Sequence, residues 1–426
     1  MTDSISLPIA ASTASKARLA SRHAAERRFR IYGLLAVLFG LSCILTLFVT
    51  ILTGGYNSFS QTVITLDFEL DADNIDASDI HGSNFRTIVR RSTYALFPDV
   101  TTRQDKRTLA NIVSSGAEYQ LRDFVIAHPD RIGQTVTLQV PMSDDLDQLS
   151  KGVIRAELDE SERRVSDIEI SWFNSLRDQG KIETVFNGTF FTASDSREPE
   201  LAGILGAALG SFYTLLVTLA LSFPIGVASA IYLEEFAPKN RLTQIIEINI
   251  NNLAAVPSIV FGLLGLAVFL NFFGLPRSAP LVGGMVLALM TLPTIIIAGR
   301  AALKSVPPSI RQAAIGLGAS PMQTLMDHTL PLAMPGMMTG TILGMAQALG
   351  ETAPLLMIGM VAFIVDIPGG VTDPATVMPV QIYLWSDSPE RAFVERTSGA
   401  ILVLLAFLVT MNALAVILRK KFETKW

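Results

Sequence analysis

Two ionisable side chains, Glu351 and Arg300, stand inside or at the end of long apolar tracts of this 426-residue sequence. A charged residue at the centre of a membrane-spanning helix costs about 2.5–3.5 kcal/mol on insertion scales, so Glu351 should face other helices or a water-filled cavity. Its carboxylate has two possible roles there, a structural hydrogen bond or the passage of a solute. Arg300 ends its tract, where a guanidinium either extends to the membrane surface or contacts an anion.

The spacing of a catalytic or metal-binding site is not recognisable elsewhere in the sequence. Gly180-Lys181 lacks the upstream glycine and the following Ser or Thr of a nucleotide-binding loop. The acidic run from Asp67 to Asp79 lacks the spacing of a Ca²⁺ loop. We therefore expect no catalytic residue, no metal, no cofactor and no nucleic-acid partner.

Six apolar tracts must position these two residues. Hydrophobic residues make up 50% of the chain and charged residues 17%, whereas soluble domains carry about 25% charged residues. The tracts are residues 31–66, 201–233, 248–276, 278–299, 329–365 and 397–418. Each is long enough to cross a bilayer, which takes about 20 residues of helix. The pattern predicts a mainly α-helical, polytopic membrane protein with six transmembrane helices.

The distribution of Lys and Arg predicts the orientation. These residues are enriched on cytoplasmic flanks, and they cluster before the first tract and at the end of the chain. Both termini are therefore expected in the cytoplasm. The predicted parts are a cytoplasmic basic tail (1–30), a first transmembrane helix (31–55), an extracytoplasmic domain (56–200), a five-helix core (201–420) and a cytoplasmic tail (421–426). The first tract is too long for a signal-peptide core, so we interpret it as a retained anchor.

Residues 56–200 lose the apolar pattern and predict a folded α+β domain between the first two transmembrane helices. Alternation over 64–71 and 136–140 predicts strands, and apolar residues at helical spacing predict helices over 102–127 and 145–178. Asn187-Gly188 lies between apolar pairs and predicts a two-residue hairpin turn. The same asparagine begins a glycosylation sequon, but the turn is the preferred interpretation.

Glycines and prolines indicate how the helices of the core pack. Gly336, Gly340 and Gly344 recur every four residues, a spacing that lets two helix backbones approach closely in lipid. We expect this helix to pack against protein. Prolines within tracts remove backbone donors and kink helices, which suits a moving pathway. They are Pro224, Pro257, Pro293 and Pro354.

Several separate motifs resemble the PstA-type permeases of bacterial phosphate ABC importers, and together they cover roughly residues 205–420. Ala313, Ala314 and Gly318, followed by Leu330-Pro331, are similar to the coupling signature of ABC-importer permeases, which reads Glu-Ala-Ala, then Gly, then Ile/Leu-Pro. Three further stretches are similar to the PstA type. They are Gly350-Glu351-Thr352-Ala353-Pro354, the Val256–Gly262 segment with Pro257 and Ser258, and Ile231–Glu235.

This resemblance implies a transport subunit of the inner membrane and not an enzyme. Residues 305–333 would form a cytoplasmic coupling segment that docks into a groove of a separate ATPase, and helix 311–316 would project Ala313 and Ala314. The implied partners are a sister permease in a heterodimer, a dimer of ATP-binding subunits and a periplasmic phosphate-binding protein. The implied coupling residues are Arg311, Gln312, Ala313, Ala314, Gly318, Leu330 and Pro331, and the candidates for the pathway are Glu351, Arg300, Pro257, Ser258 and Thr352.

Two departures from the family pattern limit what is carried over. Gln312 stands where the coupling signature has Glu. Many relatives carry an Arg and a Glu one turn apart in the fourth span, whereas this chain offers Ile297 and Arg300. A charge-pair role in phosphate passage is therefore not carried over to Arg300.

Two alternative functions stay open. The permease would carry another oxyanion, such as molybdate, sulfate or thiosulfate, because no binding pocket can be read from the sequence. Alternatively, the chain is a membrane receptor that uses the 56–200 domain. The segments predicted to be cytoplasmic are short for a receptor that needs an output domain.

Overall fold

The computed structural model describes residues 13–71, 75 and 80–422. Residues 1–12 and 423–426 of the two predicted cytoplasmic tails lie outside the described residues. The chain divides into two compact units after Thr53. The first unit consists largely of one long helix, and the second unit contains everything that follows.

The described residues are mainly helical, with one small sheet. The helices are α1 (Thr13–Tyr56), α2 (Phe85–Ala95), α3 (Arg103–Ala110), α4 (Gly116–Ala127), α5 (Asp144–Ser150), α6 (Asp167–Asp178), α7 (Gly188–Thr192), α8 (Leu205–Ile231), α9 (Arg241–Ala254), α10 (Ser258–Gly265), α11 (Pro280–Ser305), α12 (Pro308–Gly316), α13 (Pro321–Gln323), α14 (Leu330–Gly350), α15 (Ala353–Met357), α16 (Met378–Ser386) and α17 (Ala392–Phe422). The strands are β1 (Ser60–Glu69), β2 (Thr135–Pro141) and β3 (Ile182–Phe186).

Four helical stretches of the described chain are long and apolar enough to cross a membrane. They are Ser21–Phe59, Leu205–Phe236, Pro280–Ser305 and Ala392–Lys421. A bent pair, Arg241–Ala254 with Ser258–Phe272, makes five if it counts as one span. The structure thus confirms that the chain is mainly helical and has several apolar spans.

Two of the six predicted tracts are not single straight helices. In the third tract, α9 and α10 meet at an angle of 105°, because Pro257 has no N–H and disfavours helical backbone at Val256. In the fifth tract, α14 ends at Gly350 and α15 begins at Ala353. Pro354 lies in the first turn of α15, where a missing N–H costs little. The kinks predicted from Pro257 and Pro354 are therefore complete breaks between separate helices.

Residues 56–200, called the inserted domain below, form a three-stranded antiparallel sheet covered by α2–α6. The strand order is β2-β1-β3, with β1 in the centre. Ile64 and Phe68 of β1 are fully buried in the core, together with Leu109 and Leu121 from the helices. β1 and β2 agree with the strands predicted near 64–71 and 136–140.

The predicted hairpin at Asn187-Gly188 is wrong. β3 pairs with β1, and the chain after it turns into α7. The Asn187 side chain explains the difference, because its Oδ1 accepts a hydrogen bond from Phe190 N at 3.1 Å and caps that helix. Its Nδ2 donates to Ser58 O at 3.0 Å. Asn187 is fully buried, which argues against the glycosylation alternative.

Two predicted helices of the inserted domain are shorter than expected. The helix over 102–127 is split into α3 and α4, because Ser114 N donates to Pro141 O at 3.0 Å and draws the intervening segment to the end of β2. The helix over 145–178 exists only at its ends, as α5 and α6. Gly152 adopts φ +72 shortly after α5 ends, a conformation that does not continue a right-handed helix.

A buried ion cluster fastens the inserted domain to the start of α17. Lys151 Nζ lies 2.7 Å from Asp147 Oδ2 and 2.8 Å from Glu395 Oε1, and the Lys151 side chain is only 5% exposed. Ser58 Oγ donates to Glu395 O at 2.7 Å, and Arg396 Nη1 donates to Ser58 O at 3.2 Å. A buried charge of this kind is tolerated only when it is paired, so the domain and α17 are held in one arrangement.

Candidate functional site

The coupling segment (residues 305–333) connects α11 to α14 through a sharp reversal. Two residues after the end of α12, Gly318 adopts φ +92, a left-handed conformation that glycine adopts without a Cβ clash. Ser320 and Gln323 then form a capping box that starts α13. A π-helical stretch, Thr324–Thr329, joins α13 to α14, so Leu330 and Pro331 lie inside one continuous helical run. Gly318 and the capping box therefore fix where the segment turns.

Arg311 fastens α12 to two long helices. Its Nη2 donates to Leu303 O in the last turn of α11 at 2.9 Å, and lies 2.7 Å from Glu235 Oε1 beyond the end of α8. The Arg311 side chain is 28% exposed and that of Glu235 17%. Arg311 therefore joins α8, α11 and α12 at one point.

A second ion cluster lies one turn away on α11. Arg300 Nη2 lies 2.7 Å from Glu247 Oε1 of α9, and its Nε lies 3.4 Å from Glu234 Oε2. Lys304 Nζ is 3.6 Å from the same Glu234 oxygen. The sequence placed Arg300 at the end of a span but did not reveal these partners. One feature of the sequence could have indicated them. The acidic pair Glu234-Glu235 follows the second tract, and the basic residues Arg300 and Lys304 follow the fourth.

A π-helical turn places Glu234 and Glu235 next to different basic residues. Residues Tyr232–Phe236 continue α8 with this wider turn, so that Glu234 faces Arg300 while Glu235 faces Arg311. π-turns are rare and frequently lie at functional sites. The two clusters together tie α8, α9, α11 and α12 at one end of the bundle.

Four large apolar side chains of the coupling segment are exposed. Leu317 is 91% exposed, and Ile315, Met322 and Met326 are also exposed. We call these four residues the coupling surface. Exposed apolar groups rimmed by polar residues are typical of protein-binding sites.

The two alanines of the coupling signature do not share one environment. Ala313 and Gln312 are exposed, whereas Ala314 is 6% exposed and packs inward. The expectation that both alanines project outward is therefore wrong for Ala314. An α-helix turns about 100° per residue, so adjacent positions cannot both lie at the centre of one face.

Other residues of the coupling segment belong to an apolar cluster shared with the long helices. Ile310 and Leu325 of the segment pack against Leu303 and Val306 near the end of α11 and against Met337 of α14. The coupling segment therefore packs against both α11 and α14.

The structure brings together the two motifs at the helix breaks. A Cβ on Gly262 of α10 would lie 2.7 Å from Pro354 Cα in α15, so only glycine permits this approach. Pro257 and Ser258 start α10, and Thr352 precedes α15. The Glu351 side chain is partly exposed at the break and has no hydrogen-bond or ion-pair partner in the described part of the chain. Arg300 does not bond to any of these residues.

The glycine stripe of α14 faces α11. A Cβ on Gly336 would lie 2.7 Å from Ala302 Cβ, and one on Gly340 would collide with Ala298 Cβ. Gly344 is less tightly enclosed, with Thr291 Cβ at 3.7 Å. The stripe thus lies at a contact between two helices of the bundle.

Comparisons with known proteins bear on both halves of the chain. Residues 222–426 match the family described as binding-protein-dependent transport system inner membrane component. The phosphate transport system permease protein PstA 1 of Mycobacterium tuberculosis is 31% identical over 217 residues, which are 51% of this chain and 70% of that protein. The chain belongs to the PstA-type family of ABC-importer permeases. It is thus a multi-pass membrane transport subunit, and the resemblance stated from the sequence motifs is confirmed.

This permease is also similar to a second type of phosphate permease, to a family of unknown function and to a solved ABC transporter. It is 30% identical over 255 residues to the phosphate transport system permease protein PstC of Haemophilus influenzae, covering 79% of that protein. Residues 16–160, which include most of the inserted domain, match a family described only as a domain of unknown function. A solved structure of the MetNI methionine ABC transporter in an inward-facing conformation is 17% identical and covers 51% of this chain and 95% of that chain, with a TM-score of 0.41.

Proposed function

We propose that this chain is a permease subunit of an ATP-driven phosphate importer. It forms half of the translocation pathway with six spans, and α14 with its continuation through α15 is the fifth. Both termini and the coupling segment lie in the cytoplasm, and the inserted domain lies outside the inner membrane. The relatives named above as phosphate transport permeases support the substrate.

The observation that carries the coupling role is the exposed coupling surface on a firmly anchored segment. The surface is apolar at its tip, while Arg311 and the underlying apolar cluster hold its base to α8, α11 and α14. An ATPase dimer that closes on this surface would shift these helices as a rigid body. ATP hydrolysis in this proposal belongs to the partner chain.

The partners follow from the same arrangement. The similarity to both a PstA and a PstC protein supports a heterodimer with a sister permease. A dimer of ATP-binding subunits would bind the two coupling surfaces, and a periplasmic phosphate-binding protein would deliver the substrate. The partly exposed Glu351 at the broken fifth tract, with Thr352, Pro257 and Ser258 nearby in the same pair of motifs, is the proposed lining of the pathway.

Labelled phosphate uptake tests the proposal in a host that lacks its own high-affinity importer. The chain is supplied with its ATPase, sister permease and binding protein, as wild type and as Gly318→Val. A side chain at φ +92 costs about 1–3 kcal/mol of backbone strain, and here that strain lies in the turn of the coupling segment. We expect uptake to depend on the chain and to collapse in the variant.

Gly152→Val is the matched control. Gly152 adopts φ +72 and, like Gly318, has open space around a Cβ, so the variant carries similar strain in the inserted domain. Uptake should survive in this control. Equal uptake in wild type and Gly318→Val would refute the coupling role, and transport of another oxyanion in place of phosphate would overturn the substrate alone.

A further inference from the structure

A cavity of about 790 Å³ lies beside the Arg300 cluster, at the end of the bundle that carries the coupling segment. Its walls come from the end of α8, the 237–240 connection, the start of α9 and the last turns of α11. The charged residues of its lining are Lys239, Arg241, Arg300, Lys304, Glu234 and Glu247. Such a volume accommodates a small polar ligand or a lipid head group.

The charges of the lining do not balance. Four cationic side chains face two carboxylates, and both carboxylates are already engaged, Glu247 by Arg300 and Glu234 by Arg300 and Lys304. Lys239 and Arg241 have no ion-pair partner in the described portion of the chain. The cavity therefore holds excess positive charge on two side chains whose donors are free.

The start of α9 adds to this positive field. Asn240 Oδ1 accepts from Thr243 N at 2.9 Å and caps the helix, which leaves the N–H groups of the first turn before Thr243 without intrahelical acceptors. The N-terminal end of a helix carries a partial positive charge and favours anions. This end and the side chains of Lys239 and Arg241 belong to one short connection, so they act on the same ligand.

We propose that this cavity binds a phosphate group, presented either by free inorganic phosphate or by an anionic lipid head group. The proposal rests on the proposed function for its sidedness, because the coupling segment would place the cavity on the cytoplasmic side. A phosphate group there bridges Lys239 and Arg241 to Lys304 of α11. It thereby restrains the ends of α8 and α11 that Arg311 joins to the coupling segment.

The phosphorus resonance of inorganic phosphate measures this binding directly. The assembled transporter, without the binding protein, is placed in phosphatidylcholine nanodiscs, and the line width of added inorganic phosphate is recorded. The test variant is Lys239→Gln/Arg241→Gln. Arg103→Gln/Lys106→Gln removes the same two charge types from exposed positions of α3 and is the matched control. We expect about tenfold weaker broadening in the test variant, since charge-assisted contacts dominate phosphate recognition, and wild-type broadening in the control.

The lipid arm separates the two sources. Replacing part of the phosphatidylcholine with phosphatidylglycerol should suppress the broadening if lipid head groups occupy the cavity, and should leave it unchanged if free phosphate does. Equal broadening in wild type and the test variant would overturn the proposal. Binding is read without transport, so failure of phosphate uptake and failure of this site are distinguished.

Discussion

Replacing Arg311 by Met tests whether coupling depends on the junction of α8, α11 and α12. The substitution removes the ion pair with Glu235 at 2.7 Å and the hydrogen bond to Leu303 O at 2.9 Å. An exposed pair contributes about 0–1 kcal/mol, and breaking a buried one costs about 3–5 kcal/mol. With side chains 28% and 17% exposed, the cost of undocking α12 lies between these limits, at about 1.5–3 kcal/mol, which also includes the charged hydrogen bond.

Such a cost reduces the fraction of docked coupling segments by a factor of about 10–150 relative to undocked ones, at 1.4 kcal/mol per tenfold change. We therefore expect phosphate uptake to fall about tenfold or more relative to ATP hydrolysis. The assay measures labelled uptake and ATPase activity on the same reconstituted transporter, so that their ratio reports coupling. Membrane abundance and assembly are checked by purification through the partner ATPase.

A charge-swapped pair separates the ion pair from other effects. Glu235→Arg combined with Arg311→Glu restores opposite charges, and should recover part of the ratio but not the contribution of the bond to Leu303 O. Arg122→Met, which breaks an exposed ion pair with Asp123 in the inserted domain, should change nothing. An unchanged uptake-to-ATPase ratio in Arg311→Met, or strictly additive losses in the swapped pair, would refute the reasoning.

Three further outcomes follow from other parts of the structure. Leu317→Asp should weaken copurification of the ATPase, because it places a charge on the most exposed residue of the coupling surface. The control Val153→Asp, on the inserted domain, should leave copurification unchanged. Equal copurification in both variants would contradict the docking role. Gly340→Ala should lower the stability of the folded protein by about 1–3 kcal/mol, because the new methyl group overpacks against Ala298. The yield of folded protein should fall more than in Gly344→Ala, whose Cβ makes ordinary contacts. Equal yields of the two variants would contradict this packing. Burial and the nearby Glu200 carboxylate raise the pKa of Asp144 to about 7, so its contribution to stability is lost as pH rises from about 4 to 7. Asp144→Asn should therefore raise the thermal midpoint at pH 8 more than at pH 5, and a gain equal at both pH values would contradict this assignment.

The membrane part of the fold was readable from the sequence because its signal is composition over long windows. Stretches of apolar residues leave a helix as the main way to satisfy backbone groups in lipid, so α8, α11 and α17 follow directly. The breaks before Pro257 and at Glu351 were harder, because a proline in an apolar tract either kinks the helix or ends it. Contacts between α10 and α15, where Gly262 meets Pro354, decide between the two, and a single tract does not contain that information.

The inserted domain shows the opposite case. Its strands β1 and β2 alternate clearly, but Asn187-Gly188 satisfies the local rule for a hairpin and also the rule for a helix cap. The pairing of β3 with β1 across more than a hundred residues selects the cap. The turn at Gly318 was predicted from the motif alone, whereas the partners of Arg300 and Arg311 depend on side chains from three helices that no local pattern brings together.

The buried Lys151–Glu395 bridge has a consequence for how this protein can change over generations. If Lys151 were lost, the Glu395 carboxylate would stay buried without its cationic partner, which is costly, whereas Lys151 would keep Asp147 if Glu395 were lost. A relative without the inserted domain should therefore carry an uncharged or solvent-exposed residue where this chain has Glu395. We therefore expect the inserted domain and Glu395 to be gained or lost together in evolution, although some 240 residues separate Lys151 from Glu395 in the sequence.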